Sequence, residues 1–390
     1  MNFKDLKIAI PTEIMEGEDR VSATPETVSS MIEEGAEVLV QAGAGEGSFF
    51  SDQKYQAAGA EILTDVEKLF AAADLILKVK EPQFNQELDK HEVDLMHAGQ
   101  YLITFIHPAS PGNHQMVKKL AEKGIISLTL DSIPRISKAQ AMDTLSSMST
   151  VAGYKGVLMA ADILPKFMPM ITTGVGMIKP ANALVLGTGV AGLQAAATAK
   201  RLGAVVHAAD IRPEASEQAQ SVGSKPLDLE IPEAEAVGEG GYAKELSEKL
   251  LEKERGIIAE QIEKFDFLIL SALIPGKVAP ILITEAMVKK MEPGSVIVDI
   301  AIDQGGNCEI TEPGKIVKKH GVTIIGTKNI PGMLPKSSTW MFSKNIYKFI
   351  SHVIEAGKIE IESDDEILSS TLVTDGEKIV HQGALEAMNK

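Results

Sequence analysis

The segment ALVLGTGVAGLQAAATAKRLGAVVHAAD (183–210) decides the fold. An aliphatic run breaks on Gly187, Gly189 and Gly192, an alanine-rich helical stretch follows, and a second apolar run ends on Asp210. Strand, glycine turn, helix and strand in that order make a βαβ unit. The glycines permit a tight turn and close approach of backbone to a pyrophosphate, which the N–H groups at the helix start would hold. An acid about twenty residues beyond the turn accepts both adenosine ribose hydroxyls and repels a 2′-phosphate. The segment therefore predicts a dinucleotide site that favours NAD(H) over NADP(H). Arg212, just past the acid, admits two readings: a phosphate contact or a solvated surface charge.

Outward from this unit, short β-branched and aliphatic runs alternate with helix-length amphipathic segments, the pattern of a parallel sheet covered on both faces. It occurs twice. One series is LKIAI (6–10), AEVLVQ (36–41), LILKVK (75–80), YLITFI (101–106) and IISLTL (125–130); the other is ALVLG (183–187), AVVHAAD (204–210), FLILSAL (267–273), VIVDIAI (296–302) and VTIIGT (322–327). The expected class is α/β, with two doubly wound parallel-sheet domains, one Rossmann-type and one flavodoxin-like or Rossmann-like, and a cleft between them. Thr24-Pro25-Glu26 reads as a cap followed by proline at the first helical position. After Asp143, helical spacing of Leu145, Met148, Ala152, Val157 and Ala160 predicts a connecting helix. SKNIYKFISHVIEAGK (343–358) is helical in period, and VTDGEKIVH (373–381) reads as a hairpin turning at Asp375-Gly376. These last residues are too few for a third domain. The expected division is 1–143 with 330–390, and 144–329.

The balance of 38 Lys+Arg against 54 Asp+Glu, a net charge of -16, repels polyphosphate backbones and anionic lipid, so no nucleic-acid partner is expected. A single cysteine, Cys308, excludes a disulfide framework and a multi-cysteine metal site, fits a reducing cytoplasm, and reads best as a small buried apolar side chain. No metal is expected. No basic-then-hydrophobic leader opens the sequence, and no apolar run reaches the roughly 18 residues of a membrane span, so direct membrane insertion is not expected.

A dinucleotide implies hydride transfer, with the reacting partner near the carboxyl ends of the strands. Arg20, Lys80, His107 and Asp303 are the candidates there, each with an ordinary alternative as a solvated charge, a loop residue or a turn former. RISKAQAMD (135–143) poses a different problem: it holds an arginine, a glutamine and an aspartate but no histidine, cysteine or tyrosine to move a proton. Ser137 and Gln140 are also spaced as a capping box, which would occupy Gln140 with a backbone N–H.

IPTE, GEDRVSATPE, KVKEP (78–82), the glycine turn, ALIPGK (272–277) and GSVIVDIAIDQGGNC (294–308) resemble the superfamily of alanine dehydrogenase and the NAD(H)-binding alpha subunit (domain I) of proton-translocating NAD(P) transhydrogenase, over nearly the full length. SIPRISKAQAMDTLSSMSTVAGYKG (132–156) is similar to the loop and helix with which the transhydrogenase subunit grips nicotinamide, and GEGGYAKELSEKL (238–250) to its mobile flap. That resemblance implies that Arg135, Gln140, Asp143 and Ser146 hold the nicotinamide ring and its amide, and that Tyr242 rides on the flap. Val190, Ile211, Ala272 and Leu273 join Gly187, Gly189, Gly192, Asp210 and Arg212 as candidate cofactor contacts. Hydride passing directly between two nicotinamides needs ring alignment and exclusion of water but no general acid or base, which answers the problem of RISKAQAMD.

Against that branch, Arg20, Lys80, His107 and Asp303 match positions at which alanine dehydrogenases bind the substrate carboxylate and handle protons. An acid at the position of Asp303 departs from the transhydrogenase pattern. The transhydrogenase reading is favoured, because insertions with a mechanical role are harder to retain by accident than single polar residues. Its implications are NAD(H) on this chain, NADP(H) on a separate subunit, a homodimer, a proton channel in membrane-spanning subunits, since the chain ends at Lys390 without hydrophobic spans, and a peripheral cytoplasmic place at the inner membrane. Alanine dehydrogenase is the alternative. A nucleotide sensor that binds without turnover ranks third.

Overall fold

Every run read as a strand contains one, in most cases shortened at its carboxyl end. The computed structural model describes residues 2–238, 241, 243–274, 278–359, 361 and 364–389. In chain order the strands used below are β1 Lys7–Ile10, β2 Glu37–Gln41, β3 Glu61–Leu63, β4 Leu75–Leu77, β5 Tyr101–Thr104, β6 Ile126–Thr129, β7 Asn182–Leu186, β8 Val205–Ala209, β9 Lys225–Pro226, β10 Phe267–Leu270, β11 Val296–Asp299, β12 Ile316–Lys319, β13 Val322–Ile325, β14 Leu372–Asp375 and β15 Lys378–Ile379. Five helices matter: α1 Pro25–Glu33, α2 Thr144–Ile163, α3 Val190–Arg201, α4 Glu248–Ala259 and α5 Pro335–Val353.

The chain forms two compact units, residues 1–148 with 332–390, and residues 149–331. In the first, eight strands run in the order β15-β14-β6-β5-β4-β1-β2-β3. β3 through β6 are parallel; β14 joins β6 antiparallel and turns back into β15 at Gly376, whose φ of 54° lies in the left-handed region. In the second, seven strands run β9-β8-β7-β10-β11-β13-β12, all parallel but β12. Both sheets reverse strand order at one point, between β1 and β4 and between β7 and β10. Of the two expected arrangements for the first unit, the Rossmann order is the one observed.

Period-two alternation explains why both faces are covered. On one face of the first sheet Ile8, Ile10, Val38, Val40, Leu75 and Leu77 share a core, while Ala9, Leu39, Ile76 and Leu102 share the other. In the second sheet Val185, Ile269 and Val298 face one side, and Leu184, Leu186, Leu268 and Ile297 the other. Thr24 caps α1 in a capping box with Thr27, as the Thr-Pro pair predicts.

The expected connecting helix is present as α2, with Met148, Ala152, Val157 and Ala160 buried and Leu145, in its first turn, exposed. One expectation needs correction. The late helix begins at Pro335 and ends at Val353, not 343–358: proline suits its first turn, and the chain turns extended at Ile354. Phe342, Ile346, Phe349 and Ile350 of α5 enter the core of the first unit, each contributing about 1.5–3 kcal/mol.

Candidate functional site

Each unit gathers polar residues at the carboxyl ends of its strands. In the second unit the glycines divide their work. Gly187 is left-handed (φ 82°), and a Cβ there would meet the backbone of Ala272 at 2.7 Å. A Cβ on Gly192 would lie 1.8 Å from the Gly187 carbonyl oxygen, so α3 reaches the sheet only through glycine. Gly189, the N-cap of α3, has an ordinary φ of -67°, no side-chain cap, and open space where a Cβ would stand. That open ground over the helix start is the cradle a pyrophosphate needs, so the residues fit a dinucleotide.

Val190 opens α3, and Ala272 lies just beyond β10, held by Asn307, whose Oδ1 accepts the Ala272 N–H at 3.0 Å while Nδ2 donates to the Ala272 carbonyl at 2.9 Å. Asp299 in turn accepts the Asn307 and Cys308 N–H groups at 3.0 Å, and burial raises its carboxyl pKa. Leu273 is exposed, Ile211 is half-buried and Cys308 is buried. Asp210 accepts the Thr188 N–H (2.7 Å), the Arg212 N–H (2.9 Å), and Nε and Nη2 of Arg212 (both 2.9 Å). Arg212 is not a solvated surface charge: it is ion-paired with the acid two residues before it, where the chain turn brings the two side chains side by side. Glu254 on α4 is buried within electrostatic reach of Asp210, and burial together with that like charge pushes its carboxyl up to about 7. Tyr242 lies outside the described residues. Asp303 is exposed and accepts a long bond, 3.4 Å, from the Asn329 N–H.

The first unit holds Arg20, Lys80 and His107. Arg20 is buried, with Nε 2.6 Å from Glu18 Oε1, Nη2 on Glu18 Oε2, and Nη1 2.9 Å from Met148 Sδ. Its fork is thus spent on a carboxylate of its own chain. Lys80 is half-buried, and its N–H donates to Glu13 at 3.3 Å. His107 takes a left-handed backbone (φ 50°), stacks on Phe105, and places Nδ1 2.7 Å from Asp131, which also accepts its N–H at 2.7 Å. Burial pulls the imidazole pKa down, but Asp131 outweighs it and the net shift is upward; the ring keeps 43 % of its surface open. Sequence reasoning misses Asp131, though an acid directly after a strand run was its available signal. It also misses the buried group Glu13, Lys78 and Glu92: Lys78 Nζ lies 3.3 Å from Glu13 and 2.9 Å from Glu92, and burial lifts Glu13 to about 7 against the pull of Lys78. Lysine within the run LILKVK looks like a strand end, whereas its ammonium is fully buried.

RISKAQAMD forms a tight 3-10 turn, Ser137–Met142, tied down by buried Ala139 and Met142 and by Asn345 of α5, which donates to the Ala141 carbonyl at 2.9 Å. No capping box forms there; the cap position is Ile136, and Gln140 is exposed along with Arg135. Asp143 instead caps α2: its carboxylate accepts the Ser146 N–H at 2.8 Å and the Ser146 hydroxyl at 2.6 Å.

Residues 9–152 match the family model "Alanine dehydrogenase/PNT, N-terminal domain" and residues 156–382 the corresponding C-terminal domain. The chain is 44% identical over 380 residues to an NAD(P) transhydrogenase alpha subunit of Rhodospirillum rubrum, covering 96% of this chain and 98% of that one. An alanine dehydrogenase of Halomonas elongata is 33% identical over 389 residues, covering 98% and 96%. A transhydrogenase crystal structure from Sinorhizobium meliloti superposes with a TM-score of 0.82 at 36% identity, covering 96% of this chain and 99% of that one. The chain belongs to the alanine dehydrogenase/PNT family, an oxidoreductase family, and is more similar to the transhydrogenase alpha subunits than to this alanine dehydrogenase.

Proposed function

We propose that this member of the alanine dehydrogenase/PNT family is the NAD(H)-binding subunit of a proton-translocating NAD(P) transhydrogenase. The observation that carries the reading is the 44% identity to a transhydrogenase alpha subunit across both units. Gly187, Gly189, Val190 and Gly192 would hold the pyrophosphate at the start of α3, Asp210 the ribose, and Ile211, Ala272 and Leu273 the walls of the pocket. Bound nicotinamide supplies a hydride, exchanged with NADP(H) held by a partner subunit. Arg135, Gln140, Asp143 and Ser146 orient that ring. None of them moves a proton: Asp143 and Ser146 already hold each other across the first turn of α2, a preorganised polar edge. Membrane-spanning partners would carry the proton pathway and place the complex on the cytoplasmic face of the inner membrane; among the described residues no helix is long and apolar enough to cross a membrane.

A homodimer belongs to this reading. The hairpin of Ile171–Thr173 with Gly176–Ile178 pairs with neither main sheet and exposes Met170, Val175 and Met177, an arm that an isolated two-stranded ribbon in water leaves unstable unless covered.

His107 with Asp131 favours alanine dehydrogenase as a second reading, since such a pair is built to exchange protons. Arg20 weighs against it, because Glu18 occupies the fork a substrate carboxylate would need. Purified protein is expected to bind NADH, turn over little alone, and gain hydride exchange when an NADP(H)-binding transhydrogenase subunit is added. Efficient NADH oxidation with pyruvate and ammonia by the chain alone would establish the dehydrogenase instead.

A further inference from the structure

Asp210 has two oxygens and about four lone-pair sites to offer. Four N–H donors fill them: the backbone of Thr188 on Oδ2 and of Arg212 on Oδ1, then Arg212 Nη2 on Oδ2 and Nε on Oδ1. The Thr188 hydroxyl lies 3.3 Å from Asp210 Oδ2 but closer, at 2.9 Å, to the Ala215 carbonyl, to which it donates its one proton. The two backbone donors are fixed by the turn itself. The two guanidinium donors are removable, and they sit one on each oxygen, where the two hydroxyls of a ribose would sit.

The pair is largely withdrawn from water, with 18% of the Arg212 side chain and 5% of the Asp210 side chain exposed. An arginine leaving Asp210 keeps an acceptor, because Nη1 already lies 3.4 Å from the carbonyl oxygen of Gly241, on the segment leading to α4. Glu214 adds a further attraction.

We propose that Arg212 is a specificity-determining residue of this site, competing with the adenosine ribose for Asp210. The inference rests on Asp210 being the ribose acid of the proposed function. NAD(H) enters by displacing the guanidinium toward Gly241, so its affinity is held below what Asp210 alone would give. The same guanidinium neutralises Asp210, so a 2′-phosphate meets an arginine fork beside a compensated acid and is rejected less strongly than a bare carboxylate would reject it.

The test is titration of NADH and NADPH into full-length wild type, R212M, R212K and D210N, with thermal unfolding to report folding. In R212M, NADH binding is expected to tighten about fivefold, the worth of one partly buried ion pair, while NADPH binding weakens about fivefold or more. R212K, which keeps the charge but loses the two-point fork, is expected to change both in the same directions by less, and decides the matter if R212M does not fold. Weaker NADH binding in the arginine variants, or parallel changes in both nucleotides, overturns the competition. D210N separates the premise: if wild type binds NADH and D210N binds it equally well, Asp210 is not the ribose acid and the inference falls with it. Absence of NADH binding to wild type would sink the dinucleotide reading itself.

Discussion

Gly189 and Gly192 stand three residues apart and answer to different constraints. With an ordinary backbone and nothing within 4 Å of its Cβ position, Gly189→Ala should change stability by no more than about 0.5 kcal/mol, yet lower NADH affinity about tenfold by filling the pyrophosphate cradle. Gly192→Ala drives a Cβ into the Gly187 carbonyl at 1.8 Å and should cost about 3 kcal/mol or more of stability. Denaturant unfolding and NADH titration on the two variants separate the roles; equal loss of stability in both would contradict them. Glu254 makes a pH prediction. Its carboxyl, ordinarily near 4.5, is raised to about 7 in the folded chain, so the folded state holds this proton when the unfolded chain has released it. Stability from this group is therefore complete below about pH 4.5, declines as pH rises, and is lost above about pH 7. Glu254→Gln should remove that decline and raise stability at pH 8 by on the order of 1–3 kcal/mol, measured by urea unfolding at pH 5 and pH 8; Glu13, lifted likewise, leaves a residual slope. Gly187 and Gly192 are legible in the sequence because each answers a local geometric demand, a left-handed turn and the close approach of helix to sheet. The pairing of Arg212 with Asp210, and of His107 with Asp131, is not, since sequence distance does not say which way two side chains point.

At the scale of elements, strands and helices are legible wherever a period runs long enough. Runs such as LILKVK overshoot: β4 ends at Leu77, and Lys78 turns inward to two carboxylates that lie on other segments. β3, β9 and β12 escape because EIL, KP and IVKK lie at the sheet margins with no fully buried residue, so they carry no aliphatic run of the kind that marks the inner strands. RISKAQAMD resembles a capping box locally, but the cap falls on Ile136 and Asp143 serves α2 instead, a choice made by tertiary packing of Ala139 and Met142. The hairpin at 171–178 leaves no mark in the sequence pattern. Val175, 98% exposed at its tip, has no reason to be apolar in a lone chain. Val175→Asp with Met177→Asp should convert a dimer to monomer in sedimentation velocity with the fold intact; an unchanged dimer would remove the hairpin from the interface.

For the whole molecule, two Rossmann-ordered units belong to a family whose members include both alanine dehydrogenases and NAD(P) transhydrogenase alpha subunits, so the fold alone does not choose between the two activities. Under the dehydrogenase reading the His107–Asp131 pair would handle protons, whereas under the transhydrogenase reading proposed above Arg135, Gln140, Asp143 and Ser146 would only hold and align a ring. The measurement that separates them most directly is isotope transfer: NADH deuterated at C4, mixed with this protein, an NADP(H)-binding transhydrogenase subunit and NADP+. Deuterium is expected in NADPH without loss to solvent, dependent on the partner subunit. No transfer with the partner present, together with deuterium delivered to alanine from pyruvate and ammonia by this chain alone, would contradict the transhydrogenase reading.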